Sequence, residues 1–150
     1  MKKAAVRHDL NKLKINYPLD FEGINVNCVK LYLDMTNPDE VLKIIKSNRA
    51  KFIIIIREIL QGFYNNALYK KEGGNVTAMR FSGHPNSRIY CLEISGKGGE
   101  KKIVIMAKGI IHKNVQANDK KIIDSIKAIN DSTYVYFEKY EDYEKYKKGI

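Results

Sequence analysis

The hydrophobic period changes from helical to strand-like at Lys70-Lys71-Glu72-Gly73-Gly74, and that change constrains the fold more than any other feature. Before it, Phe52, Ile55, Ile56, Ile59, Leu60 and Phe63 recur at helical spacing. The run Phe52 to Ile56 is β-branched enough for a buried strand, but the helical register continues for longer than a strand needs, so a long helix is expected within Ser47 to Lys71. After the paired glycines, which permit a turn, come three β-rich runs: Asn75 to Ser82, Ser87 to Ser95 and Lys101 to Ile111. Gly83-His84-Pro85-Asn86 and Gly96-Lys97-Gly98-Gly99 separate them, short connections suited to an antiparallel meander.

The flanking segments complete the outline. Asn37 as cap, Pro38 at the first helical position, Asp39 and Glu40 at the positive end, and the stripe Val41, Ile44, Ile45 predict a helix over about 38–47. Ile24 to Leu33 alternates as a strand, and a last helix starts near Asn118 or Asp119 and buries Ile122, Ile123, Ile126 and Ile129. The tail from Ser132 to Ile150 sets Tyr134, Tyr136, Tyr140, Tyr143 and Tyr146 among Lys and Glu, the pattern of an amphipathic helix that docks its tyrosines; aromatics beside cations also suit base stacking. The expected order is strand, two helices, three strands, helix. This is an α+β fold: a small antiparallel sheet packed on one face against the N-terminal helices, with a C-terminal helix and the other face partly open.

The 150 residues, 44% of them hydrophobic, suit one domain with its own core. Cys28 and Cys91 lie far apart and outside any metal-ligand spacing, so both read as reduced thiols, and no cofactor or metal is expected. Met1-Lys2-Lys3 is followed by residues too polar for a secretory signal, and the apolar run at Phe52 to Ile56 stops at Arg57-Glu58, far short of a membrane span. A cytoplasmic protein without membrane contact is expected. Lys and Arg number 27 against 17 Asp and Glu, a formal charge of +10, which favours a polyanionic partner but specifies no sequence.

The stretch Ser87-Arg88-Ile89-Tyr90-Cys91-Leu92-Glu93-Ile94, a charged hairpin, and then Lys102 to Gln116, ending Gly109-Ile110-Ile111-His112-Lys113-Asn114-Val115-Gln116, resembles the RelE/HigB/ParE superfamily of toxins of type II toxin–antitoxin systems. In that family an arginine opens the first of two neighbouring strands. The second strand runs into a Gly-apolar-apolar-Lys-Lys-Thr-Gln-like segment before a helix. Arg88 matches the former, and Gly109, His112, Lys113 and Gln116 match the latter, with His112 where the family often has Lys or Arg. The likeness covers roughly residues 50–130, leaving an N-terminal extension. It implies a RelE-like sheet, a cognate antitoxin, and a metal-independent endoribonuclease that cuts mRNA, on the ribosome.

The residue types fit that chemistry. RNA can be cut by its own 2′-hydroxyl once that group is deprotonated and the charge developing on the phosphate is neutralised. Arg88 would clamp the phosphate with its two-pronged guanidinium, Lys113 would add positive charge, and His112 would be the general acid or base. Arg80, Lys101, Lys102 and Lys108 are candidate backbone contacts, and Tyr90, on the Arg88 face, is a candidate for base stacking or for core packing. Arg88 has a plainer alternative, pairing with Glu93 or Glu100. Parity also sets it beside Tyr90, Leu92 and Ile94, so those side chains must lie beyond the site or be covered by the tail. His8 and His84 show no partner pattern. Two other readings keep a basic chain without catalysis: a ParE-like gyrase inhibitor, and a nucleic-acid-binding module.

Overall fold

A computed structural model describes residues 2–64, 67–83, 86–96, 98–112 and 120–149, with His112 described by its backbone alone. Lys113 lies outside these residues, as do His84 and the expected cap residues Asn118 and Asp119. Among the described residues twelve elements follow in order: β1 (Lys3–Arg7), α1 (Leu10–Asn16), β2 (Val29–Asp34), α2 (Pro38–Ser47), α3 (Arg49–Leu60), β3 (Tyr69–Gly73), β4 (Val76–Phe81), β5 (Asn86–Ile94), β6 (Lys102–His112), α4 (Lys120–Asn130), β7 (Tyr134–Phe137) and α5 (Tyr140–Lys148).

The strands form one seven-stranded mixed sheet in the order β3-β4-β5-β6-β2-β1-β7. The small antiparallel sheet expected from the sequence is therefore overturned. β3 to β6 do form the antiparallel meander, but β2 then joins β6 in parallel, β1 pairs antiparallel with β2, and β7 pairs parallel with β1. The additional strands are products of tertiary pairing. Lys3-Ala4-Ala5-Val6-Arg7 has little apolar signal of its own, yet Ala5 is wholly buried once Asp34 and Tyr136 flank it. Tyr134–Phe137 carries the same tyrosine spacing that suggested a helix, but its Tyr134 hydroxyl donates to Asp34 Oδ2 at 2.6 Å and ties the segment to the end of β2. Strand β2 begins at Val29 rather than Ile24, and the helix expected up to Lys71 stops at Leu60, where Gly62 takes a positive φ of 77° and the chain turns back as edge strand β3.

Both faces of the sheet are covered. On one, α2 buries Val41, Ile44 and Ile45, and α3 buries Phe52, Ile53, Ile55, Ile56, Ile59 and Leu60 against Leu31, Met79, Ile89, Val104 and Met106. Each such side chain, fully buried, contributes about 1.5–3 kcal/mol by the area it removes from water. This outweighs the modest helix penalty of the β-branched isoleucines. The approach of α2 to β6 is set by Gly109, where a Cβ would stand 2.8 Å from the Val41 amide nitrogen and 2.9 Å from the Glu40 carbonyl carbon. On the other face α4 lowers Ile122 and Ile129 onto Tyr32, Val76, Ala78, Tyr90, Leu92 and Ile105. Among the described residues, no helix is long and apolar enough to cross a membrane.

Candidate functional site

The register of β4, β5 and β6 builds a row of cations. Arg80 lies directly opposite Arg88, which lies opposite Ile110; the next row on the same face is Ala78, Tyr90 and Lys108. Directly opposed residues hold their Cβ atoms about 5 Å apart, so the two guanidinium stems leave the sheet side by side. Like charges so placed repel, and the arrangement is eased by an anion between them. Arg88 is half-buried and forms no ion pair or side-chain hydrogen bond among the described residues. Glu93, its suggested counter-ion, sits on the opposite face. Lys108 is exposed, and its Nζ donates to Ser125 Oγ on α4 at 2.9 Å.

Tyr90 is different. It is wholly buried in the cluster beneath α4, presenting no ring face to a base, and its hydroxyl has no hydrogen-bond partner among the described residues. The parity tension resolves through this layer. Tyr90 and Leu92 are buried in the cluster beneath α4, while Arg88, nearer the end of the strand, is only half-buried.

Lys101 and Lys102 stand at the other end of β6, some eight residues from Ile110, or roughly 26 Å of strand. Lys101 is exposed beyond the strand. Lys102 belongs to a partly buried network on the α3 face: its Nζ meets Glu93 Oε1 at 3.0 Å, Tyr64 and Tyr69 donate their hydroxyls to the same carboxylate, and Thr77 donates to Tyr69 at 2.8 Å. Burial opposes ionisation of Glu93, but the hydrogen bonds from Tyr64, Tyr69 and Lys102 outweigh it and hold the carboxyl below its ordinary value. Burial pushes the neighbouring Cys91 thiol up, so this cysteine stays protonated. Cys28 is likewise a free thiol, half-buried. The six candidates with described side chains thus divide: Arg80, Arg88 and Lys108 gather on one face with Tyr90 buried beside them, whereas Lys101 and Lys102 do not join them. The backbone of His112 pairs with Asn86 at the far end of β6, next to the arginine row.

Comparison of the chain with protein-family models, curated proteins and solved structures gave no match.

A second polar centre escaped the sequence reading. It lines a cleft of about 570 Å³ between the end of β1, α1, the start of α3 and the β7–α5 junction. There Arg7 Nη1 pairs with Glu138 Oε1 at 2.8 Å, the Tyr32 hydroxyl donates to Glu138 Oε2 at 2.7 Å, and the Arg7 guanidinium lies 5.7 Å from the centre of the Tyr32 ring. Burial, and then the hydrogen bond to Glu138, push the Tyr32 phenol up to about 12. His8 stands edge-on to Phe52, with ring centres 6.1 Å apart. Burial, followed by the Arg49 charge, holds its imidazole below 6.5, and Asp9 opposes them only in part. The local signal was only Arg7-His8-Asp9. Its partners at Arg49 and Glu138 come together through the topology of the sheet. Among the described residues no group of three or more His, Cys, Asp or Glu gathers to hold a metal ion.

Proposed function

We propose that the protein acts on RNA in the cytoplasm, as the toxin of a toxin–antitoxin pair and as a metal-independent endoribonuclease of mRNA working on the ribosome. The observation that carries the reading is the Arg88 guanidinium, opposite Arg80 and unpaired among the described residues, one row from Lys108. Guanidinium and ammonium groups are the usual partners of backbone phosphates, and a guanidinium fork holds two phosphate oxygens at once. The resemblance around Arg88 and Gly109 to Gln116 adds the chemistry. His112, at the end of the strand that carries Lys108, takes the 2′-hydroxyl proton or returns one to the departing 5′-oxygen. Arg88 and Lys113 neutralise the charge that builds on the phosphate between those events. A cognate antitoxin of acidic character would cover the same cations.

A second reading, an RNA-binding module without catalysis, rests on the same row, because Arg80, Arg88 and Lys108 can hold backbone phosphates without any proton transfer. Induced expression with transcript mapping separates the two. The toxin reading expects growth arrest, new 5′ ends in mRNA, and loss of both when Arg88→Ala is combined with His112→Ala. Arrest and cutting that survive the double substitution would place the site elsewhere. DNA-damage signalling with intact mRNA would instead indicate a gyrase inhibitor.

A further inference from the structure

We propose that the cleft bounded by β1, α1, α3 and the β7–α5 junction binds a small phosphomonoester of nucleotide size. The site lies on other elements than the arginine row and stands independently of the RNA reading. Its lining includes four cationic side chains, Arg7, Lys12, Arg49 and Lys139, together with His8. Three carboxylates face them, Asp9, Glu138 and Glu141, but two are already engaged. Glu138 is held by Arg7 and Tyr32, and Asp9 Oδ1 accepts the Asn11 amide at 2.8 Å as the cap of α1.

Lys12, Arg49 and Lys139 form no ion pair among the described residues, and the His8 ring makes no hydrogen bond among them. The lining therefore carries four cations against three carboxylates, a net charge of +1 around the imidazole, with Lys12, Arg49 and Lys139 outside any ion pair among the described residues. An anion answers that excess, and Arg49, outside any ion pair, offers the two-pronged guanidinium that suits tetrahedral phosphate oxygens. The cleft also includes Tyr17 and Tyr140, rings on which a flat group can rest. Its volume of about 570 Å³ falls within the range of small-molecule sites, roughly 300–1,000 Å³.

The imidazole supplies the readout. Within the free protein it is surrounded by Arg7 and Asp9 from its own strand end, Lys12 from α1, Arg49 from α3, and Glu138, Lys139 and Glu141 from the β7–α5 junction. A phosphate dianion seated among them reverses the cationic bias and raises the His8 titration midpoint.

The test titrates the full chain with AMP, inorganic phosphate and adenosine at fixed ionic strength, following the His8 ring by NMR and affinity by calorimetry. AMP and phosphate are expected to move the His8 signals and raise the midpoint, whereas adenosine should do neither. Arg49→Gln and Lys12→Gln, both at exposed positions, should each weaken AMP binding by roughly tenfold, with the amide spectrum reporting that each variant is folded. His8 signals that ignore both AMP and phosphate would overturn the proposal. So would adenosine binding as tightly as AMP, or wild-type AMP affinity in both folded variants.

Discussion

Arg88 on β5 stands directly opposite Arg80 on β4, in register across an antiparallel pair, and Arg88 has no ion pair among the described residues. Directly opposed like charges destabilise a sheet by about 0.2–1 kcal/mol. A position kept for binding at the expense of stability should show the two properties moving in opposite directions. Arg88→Glu is expected to raise the unfolding free energy by up to about 1 kcal/mol while reducing RNA affinity at least tenfold. Urea unfolding and filter binding measure the two. Unchanged RNA affinity would remove Arg88 from the interface.

Tyr90 buries a hydroxyl with no partner among the described residues. An unmet buried hydroxyl costs about 1–3 kcal/mol, and removing it leaves the ring's packing intact. Tyr90→Phe should therefore stabilise the protein by about 1 kcal/mol in denaturant unfolding. If the variant is less stable, the hydroxyl is hydrogen-bonded in solution.

Glu93 gathers Tyr64, Tyr69 and Lys102 around one buried carboxylate, and its folded-state pKa lies below the ordinary value. A depressed carboxyl stabilises the folded state fully above the ordinary glutamate range, near 4.3, and loses that contribution as pH falls through the folded value. Acid unfolding of the wild type should therefore steepen below about pH 4. Glu93→Gln should flatten that limb and cost about 2 kcal/mol at neutral pH, where Lys102 is left without its counter-ion. An acid limb unchanged by the substitution would show that other carboxylates control it.

His8 shifts the pH dependence in the same direction by the opposite chemistry. Its folded-state pKa lies below 6.5. Protonation therefore favours the unfolded chain, and stability declines as pH drops from 6.5 through the folded value. His8→Asn should remove this component between neutrality and pH 5, read as a smaller loss of melting temperature over that interval. A wild-type slope in the variant would refute the shift.

Gly109 belongs to the segment that resembles the toxin family, yet its immediate role is mechanical. The first turn of α2 rests on it, closer than any side chain permits. Gly109→Ala should push α2 off β6 and cost about 1–3 kcal/mol, the usual penalty of overpacking. Thermal unfolding checks this, and a neutral result would mean that α2 shifts freely.

Helix α2 was legible because its signals are local, whereas α1 at Leu10–Asn16 went unread and α3 ends earlier than its periodicity suggested. In α2 the proline, the acidic first turn and the apolar stripe all fall within ten residues. Likewise β4 to β6 announce themselves by β-rich runs and glycine connections. Strand β1 could not be read that way, since what makes Ala5 a core residue is contact with segments near Asp34 and Tyr136. The same limit governs the sites. Arg88, Arg80 and Lys108 meet because hairpin register is short-range, so their row was accessible from spacing. Arg7 and Glu138 are 131 residues apart, and only the β1–β7 pairing joins them. Lys102 stands away from Arg88 because the length of β6 separates residues that look close in sequence.

The pairing of Lys3–Val6 with Tyr134–Phe137 also sets a clock on biogenesis. A ribosome adding about 5–20 residues per second takes roughly 7–26 s to travel from Lys3 to Tyr134. Throughout that interval β1 has at most one neighbour available, β2 once Val29–Asp34 is made, and the Arg7 and His8 cleft lacks the wall supplied by Glu138 to Glu141. The meander of β4 to β6, whose pairings are mostly local, can assemble earlier. The arginine row is then in place on a nascent chain before the cleft exists.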